Sequence, residues 1–221
     1  MERKLQLDQA GLRRMIRVNP TLLGRNLEKM EDRFTEIQRR LCLSDQELGK
    51  VLKLAPTFLN QTPEKNESRL QNLQERLQLD EPQLGKLILS FPRITCMSED
   101  NVEEKLQYLQ KRLVLSDEQL FAMVKKAPTL VALRIDSNLD PKIKFFEDLI
   151  GVNETREVIK KFPNLLWASL ETRISPRAQE LKHAGLPIDA AGLSRICCYT
   201  EKSWCASMQF QSQKLHKSKL W

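Results

Sequence analysis

Lysine and arginine recur at constant spacing along this chain of 221 residues. The spacing is measured from five prolines at intervals of 36, 36, 36 and 35 residues: Pro20, Pro56, Pro92, Pro128 and Pro163. A first ladder of cations occupies positions six and three residues before the prolines: Arg14, Arg17, Lys50, Lys53, Lys86, Lys125 and Lys160. A second ladder occupies positions thirteen and twenty residues after them: Arg33, Arg40, Arg69, Arg76, Lys105 and Arg112. Regularly repeated cations suit a surface that follows the phosphates of a nucleic acid, because each neutralised phosphate releases counterions.

Both ladders also have an ordinary explanation. Helix surfaces are rich in Lys and Arg that pair with nearby acids, such as Glu36 or Glu75. For any single residue this explanation and nucleic-acid binding both stay open, whereas the constant spacing of the whole set favours binding. The sequence does not show which ladder lies on the concave side of the predicted array.

The residues around each proline predict two helices per repeat. Apolar residues eight, five and four positions before a proline, such as Leu48, Val51 and Leu52, follow the period of an amphipathic helix. Capping-box patterns predict where this helix begins, at Ser44, at Ser116 and more loosely at Asp80. The proline ends this first helix and opens a short turn. A second helix follows, with apolar residues fourteen, seventeen and twenty-one positions after the proline.

We therefore expect an all-α fold, an α-solenoid of about five to six helix–Pro-turn–helix repeats with a curved shape and a concave face. The array is predicted over residues 1–190, with an incomplete N-terminal repeat, and residues 191–221 are expected to form a divergent cap or a disordered tail. The first residues share the spacing of later repeats, which indicates a half-repeat rather than a transit peptide. A chain shortened at its N-terminal side is the expected origin of this abrupt start.

Some positions depart from the repeat. In the fourth repeat, the apolar positions of the second helix are shifted, and they hold Ile143, Phe145 and Leu149. Phe91 and Phe162 precede their prolines on the apolar stripe and are predicted to be core residues rather than base-stacking groups. Trp167 is expected to pack between repeats.

The composition excludes several function classes. No apolar stretch reaches the length that spans a membrane, and two histidines leave little scope for acid–base chemistry. Five scattered cysteines do not form a disulfide framework and indicate a reducing compartment. Cys197, Cys198, Cys205 and His216 have the residue types of zinc ligands but not a usual spacing. We therefore expect neither an enzyme nor a metal or cofactor site.

Short sequence motifs within the repeats resemble those of one known family. The phrases that carry the resemblance are Leu41-Cys-Leu-Ser44, Leu113-Val-Leu-Ser116 and the segment from Val124 through Pro128 to Leu130. Further phrases resemble the C-terminal portion of that family: Lys161-Phe-Pro-Asn-Leu-Leu166, Ser169-Leu-Glu-x-Arg-Ile-x-Pro-Arg177 and Leu181-x-x-x-Gly185. Over roughly residues 5–190 the chain resembles the mitochondrial transcription termination factor family, or mTERF family.

The resemblance implies a two-layer solenoid that binds nucleic acid on a basic concave face inside an organelle, a mitochondrion or a chloroplast. Arg173 and Arg177 match the family's C-terminal phrase and join the candidate binding residues on that ground. The family acts in transcription termination or initiation, transcript processing and ribosome assembly. The resemblance therefore also implies transcription or ribosome-assembly proteins of the organelle as candidate partners.

Three hypotheses follow for the function. The main one is a monomeric protein that binds double-stranded DNA, slightly favoured over structured RNA, as a roadblock or recruitment factor without covalent catalysis. The second is a helical-repeat scaffold for protein partners, which suits the modest charge of the repeats. The third is a gene model that encodes a non-functional fragment, suggested by the abrupt start and the unusual tail. A nuclease lacks the necessary cluster of carboxylates or histidines.

Overall fold

A computed structural model of the chain describes Leu5 and residues 7–208. Within this part the chain forms helices and turns and no strands, as expected for an all-α helical-repeat solenoid. The α-helices are α1 (Gln9–Val18), α2 (Leu27–Leu41), α3 (Asp45–Leu54), α4 (Pro63–Arg76), α5 (Glu81–Ser90), α6 (Glu99–Leu113), α7 (Asp117–Lys126), α8 (Asp140–Ile150), α9 (Val152–Lys161), α10 (Ser175–His183) and α11 (Ala190–Cys198). Residues 201–208 are also helical.

The predicted helix boundaries are confirmed. Ser44, Asp80 and Ser116 each form a complete capping box with the Glu or Gln three residues later. Each repeat proline begins a short 3₁₀ turn, and these turns are Pro20–Gly24, Pro56–Asn60, Pro92–Cys96, Pro128–Ala132 and Pro163–Trp167. A proline turn therefore separates the first and second helix of every repeat.

The shift in the later repeats comes from an inserted residue. One turn of π-helix precedes α8 at Ile135–Leu139, and another precedes α10 at Leu170–Ile174. Their defining bonds run from Leu139 N to Arg134 O (3.0 Å) and from Ile174 N to Ser169 O (2.9 Å). The wider turn moves the buried face of the helix along by one residue.

The apolar face of α8 therefore differs in part from the sequence prediction. Ile143 is buried as predicted, but Phe146 lies in the core where Phe145 was predicted. Phe145 and Leu149 are half-buried. The prediction at Phe145 was wrong because the extra residue of the π-helical turn changes the register of the helix.

The chain divides into two compact units. Unit 1 comprises Met1–Gln110 and Leu115–Ala132, and unit 2 comprises Lys111–Val114 and Leu133–Trp221. In unit 1 the first helices α1, α3 and α5 pack side by side, and the second helix α2 packs against α3 and α5. In unit 2, α8 packs against α9, and α11 packs against the Pro163–Trp167 turn.

In unit 1, glycine permits α3 to approach Leu5, which precedes α1, and permits α5 to approach Leu41, the last residue of α2. Gly49 and Gly85 lie seven residues before their prolines. A Cβ atom on Gly85 would come within 1.9 Å of Leu41 O, and one on Gly49 within 2.2 Å of Leu5 O. Any side chain there would force the repeats apart.

Two aromatic side chains predicted as packing residues are instead exposed. Phe91 is buried as predicted, but Phe162 is 38% exposed and Trp167 is 48% exposed. Trp204, beyond the predicted array, is buried: its ring packs 4.9 Å from the Arg177 guanidinium, and its indole N–H donates to Glu180. These contacts place residues 201–208 against α10 in unit 2.

Candidate nucleic-acid interface

Most of the first ladder lies on the first helices of unit 1. Lys50 and Lys53 belong to α3, Lys86 to α5 and Lys125 to α7. Lys50, Lys86 and Lys125 are exposed, and within the described residues Lys50 and Lys86 form no ion pair or side-chain hydrogen bond. Lys53 is half-buried and its Nζ lies 3.5 Å from the Asp8 carboxylate. Most of these charges are therefore available to a ligand.

Phe121 helps to form a groove between α5 and α7. Phe121 occupies the position that Gly49 and Gly85 hold in the two preceding repeats. Its side chain lines an open groove of about 420 Å³ together with Lys86 and Lys125, and few backbone atoms of α5 and α7 approach each other closely. The Lys125 Nζ lies 5.8 Å from the centre of the Phe121 ring. Two cations thus face a common cleft, which is lined by a side chain where the two preceding repeats have glycine.

In the first helices α3 and α7, the acidic residues and the lysines lie at opposite ends of the helix. In α3 and α7 the carboxylates lie in the first turn, whereas the lysines lie in the last two turns. Hydrogen bonds from the backbone N–H and hydroxyl of Ser44 lower the pKa of Glu47. The backbone N–H of Gly11 and the nearby Lys53 lower the pKa of Asp8. Asp8 and Glu47 thus serve as helix caps, and Asp8 also pairs with Lys53, whereas Lys50 and Lys86 form no ion pair within the described residues.

In unit 2 the first ladder has one member. Lys160 lies near the C-terminal end of α9, is partly buried and forms an ion pair of 2.9 Å with Glu157. Its neighbour Lys161 is exposed and lies 5.4 Å from the centre of the Phe162 ring.

The second ladder, in contrast, holds successive repeats together. Thirteen residues after its proline, Arg69 donates from Nη1 to Thr95 O (2.9 Å) in the next proline turn. Arg33 makes the corresponding bond to Gln61 O, just after the next turn. Burial lowers the pKa of Arg33, and repulsion from Arg25 adds to this effect. Each of these side chains satisfies a backbone carbonyl that the end of a 3₁₀ turn leaves without a partner.

Arg40 and Arg76, twenty residues after their prolines, form two matching hubs. Arg76 Nε donates to Glu103 (3.0 Å), its Nη2 donates to Gln110 (2.7 Å), and its Nη1 lies 3.4 Å from Asp117. Arg40 repeats this arrangement one repeat earlier with Glu67 (2.8 Å), Gln74 (2.7 Å) and Glu81 (3.8 Å). The partners of Arg40 and the partners of Arg76 hold equivalent positions in successive repeats. An alignment of the acidic residues as well as the cations would therefore have revealed the hubs.

The remaining members of the second ladder also have intramolecular partners. Lys105 is buried, and its Nζ lies 3.0 Å from Glu104. Arg112 donates to both carboxylate oxygens of Glu147 at 2.6 Å. The two C-terminal arginines differ from each other: Arg173 is exposed, whereas Arg177 is 3% exposed.

Unit 2 continues the second ladder at a position that the sequence pattern missed. Lys142 and Arg177 lie fourteen residues after their prolines, because the π-helical turn inserts one residue. Lys142 is buried and donates to Leu166 O (2.7 Å), and Arg177 donates to Ile196 O (3.0 Å) and Tyr199 O (2.8 Å). Burial lowers the pKa of Lys142. The sequence pattern missed Lys142 because it considered only the position thirteen residues after each proline. An alignment that allows one inserted residue would have found it.

The described residues give no sign of a metal site or a membrane span. No group of three or more potential metal ligands occurs among them. Of the cysteines considered as zinc ligands, Cys197 is buried whereas Cys198 and Cys205 are exposed, and His216 lies outside the described residues. No helix in this part of the chain is long and apolar enough to cross a bilayer. What the arrangement offers chemically is exposed positive charge on the first helices.

Comparison with known proteins confirms the resemblance seen in the repeats. The family model described as mTERF matches residues 2–203, which is most of the chain. A search of curated proteins found no match to the chain.

Proposed function

Because the chain belongs to the mTERF family of organellar, nucleic-acid-binding helical-repeat proteins, we propose that it binds double-stranded DNA through the first ladder of unit 1. The observation that carries this proposal is the contrast between the ladders. The lysines of α3, α5 and α7 are largely free of partners, whereas the second-ladder cations hold backbone carbonyls and carboxylates of the protein itself.

The bound protein acts as a roadblock or recruitment factor in organellar transcription. Its binding energy comes chiefly from phosphate neutralisation, so the mechanism needs no covalent step. The groove between α5 and α7 places Lys86 and Lys125 on two sides of one cleft, which suits a phosphate backbone lying along it. Lys50 and Lys53 extend the same helix layer one repeat further. Arg173 and Lys160 remain candidate contacts in unit 2.

Fluorescence anisotropy with a charge-reversed variant tests this proposal. The variant carries Lys50→Glu, Lys53→Glu, Lys86→Glu and Lys125→Glu, and it is titrated with labelled duplex DNA, a structured RNA and a single-stranded RNA at several salt concentrations. We expect the wild-type chain to prefer duplex DNA and the variant to bind it about a hundredfold more weakly. The slope of log affinity against log salt should flatten by up to about 3.6, or about 0.9 for each phosphate that is no longer neutralised.

A second variant with the same change in net charge is the matched control. It reverses four exposed cations of the second helices: Lys29, Arg39, Lys65 and Lys111. We expect this control to keep most of the affinity and of the salt slope. Equal losses in the two variants would show that net charge alone determines binding, and unchanged binding by the first variant would eliminate the first ladder as the interface. A wild-type preference for structured RNA would contradict the choice of DNA.

A further inference from the structure

The groove between α5 and α7 has an apolar interior beside its two lysines. It measures about 420 Å³, and the apolar side chains that line it are Leu77, Leu79, Pro82, Leu87, Phe121 and Val124. Leu87 and Val124 are buried, and Phe121 is half-buried. Binding of phosphates requires the lysines but not an apolar lining, which suits a less polar part of the ligand.

The other polar side chains that line the groove form hydrogen bonds at the two ends of α5. At the N-terminal end, the Gln83 backbone N–H donates to the Asp80 carboxylate (2.7 Å), and the Asp80 backbone N–H donates to the Gln83 side chain (3.1 Å). Ser90, the last residue of α5, donates from its hydroxyl to Leu87 O (2.8 Å). Between these ends the groove is therefore apolar apart from Lys86 and Lys125.

A nucleic-acid strand in this groove brings a sugar against the apolar side chains. At least one sugar lies between any two phosphates of a strand, so phosphates that bind Lys86 and Lys125 place a sugar near Phe121. The centre of the Phe121 ring lies 5.8 Å from the Lys125 Nζ. The C2′ atom of this sugar carries only hydrogen atoms in DNA but a hydroxyl in RNA. Burial of a hydroxyl without a hydrogen-bond partner is unfavourable.

We propose that Phe121 selects deoxyribose over ribose, so that this groove is where the protein distinguishes DNA from RNA. The inference rests on the proposed binding of DNA through the first ladder, and it assigns the recognition of the sugar to one residue of that interface. Phe121 packs against C2′ of deoxyribose and leaves a 2′-hydroxyl without a partner. Glycine holds the matching position in the two preceding repeats, so of these three repeats one carries a side chain there.

Titration with three labelled duplexes of one sequence tests the inference. The duplexes are DNA, RNA and RNA with 2′-fluorine in place of every 2′-hydroxyl, and fluorescence anisotropy measures their binding to the full chain. The two RNA-type duplexes share the A-form, so their comparison separates the hydroxyl from the shape of the duplex. We expect the wild type to bind RNA about tenfold more weakly than the 2′-fluoro duplex, because the hydroxyl is buried without a partner.

Phe121→Gln is the decisive variant, because its amide can form a hydrogen bond with a 2′-hydroxyl. We expect it to reduce the difference between the RNA and 2′-fluoro duplexes to about threefold or less. Phe121→Leu is the matched control, since it keeps an apolar side chain and should keep a difference of about tenfold. Circular dichroism checks that both variants are folded, and the wild-type comparison tests the inference even if one of them is not.

Three results would overturn the inference. They are equal binding of the RNA and 2′-fluoro duplexes by the wild type, an unchanged difference in Phe121→Gln, and a difference that shrinks equally in Phe121→Gln and Phe121→Leu. Each of these leaves the DNA interface standing if affinity still falls steeply when the four first-ladder lysines are reversed. Affinity that does not depend on those lysines would instead reject the interface, and this inference with it.

Discussion

In unit 1 the two helix layers carry the same kinds of cation but use them differently. On the second helices, Arg40 and Arg76 reach carboxylates and amides of the next repeat, and Arg33 and Arg69 reach its backbone carbonyls. On the first helices, Lys50 and Lys86 are exposed and form no ion pair within the described residues. Regular spacing alone therefore does not identify a ligand-binding surface, because repeated joints need regularly spaced cations as well.

The layers also differ in how neighbouring repeats approach each other. The first helices α3 and α5 approach the backbone of Leu5 and of Leu41, the last residue of α2, through the glycines at 49 and 85. Second helices meet through long side chains that form ion pairs and hydrogen bonds. Where glycine is replaced by Phe121, the first-helix layer opens into the groove beside Lys86 and Lys125. The same repeat position therefore gives close packing where it holds glycine and an open cleft where it holds Phe121.

The largest expected effect on stability is at the glycine joint. We expect Gly85→Ala to lower the free energy of unfolding by about 2–3 kcal/mol, because the new Cβ would collide with Leu41 O and move α5 away from the end of α2. Denaturant unfolding followed by circular dichroism measures this change. Gly24→Ala is the control, since nothing lies within 4 Å of its Cβ position, and it should be nearly neutral. Equal effects at the two glycines would contradict the close approach.

Removing the Arg76 hub should have a smaller effect on stability and should show that the two helix layers have different roles. We expect Arg76→Ala to lower the free energy of unfolding by about 1.5 kcal/mol, because it deletes charge-assisted bonds to Glu103 and Gln110. The same variant should leave DNA affinity unchanged while it is folded. Lys86→Ala should do the opposite, with stability within about 0.5 kcal/mol of wild type and a salt slope reduced by about 0.9. If Arg76→Ala weakened DNA binding at unchanged stability, the assignment of the two layers would be wrong.

The smallest expected effect concerns the pH dependence of unit 2. Burial raises the pKa of Cys197 from 9.0 to about 12. The unfolded chain therefore loses this proton at lower pH than the folded chain, and stability falls as the pH rises from about 9 towards 12. Relative to Cys197→Ala, the wild type should lose about 1.4 kcal/mol by about pH 10. Parallel pH profiles of the two proteins, measured by unfolding under reducing conditions, would show that the thiol is not buried.

Most of the fold could be predicted from the sequence, because its signals are local. Capping at Ser44 and Ser116 depends on residues within one helical turn, and each repeat proline acts on its immediate neighbours. Apolar residues at fixed offsets, such as Leu48 and Leu84, are fully buried as their period predicts. Family membership followed from the same local phrases.

The errors arose where one residue changed the register or the neighbours. The π-helical turn at Ile135–Leu139 moved Phe146 into the core in place of Phe145 and brought Lys142 into the second ladder. Phe162 follows the apolar stripe in sequence but remains 38% exposed. A helical period does not show whether another element covers the position it predicts.

The sequence by itself determined the repeats, their helices, the family and the two sets of cations, because each depends on spacing along the chain. Only the tertiary structure decided which cations are used inside the protein. Arg76 and Lys86 are similar as residue types, but Arg76 faces carboxylates and amides from neighbouring repeats whereas Lys86 faces an open groove. Charges act over distances in space, and residues that are 27 to 41 positions apart in sequence meet around Arg76 only when the repeats stack.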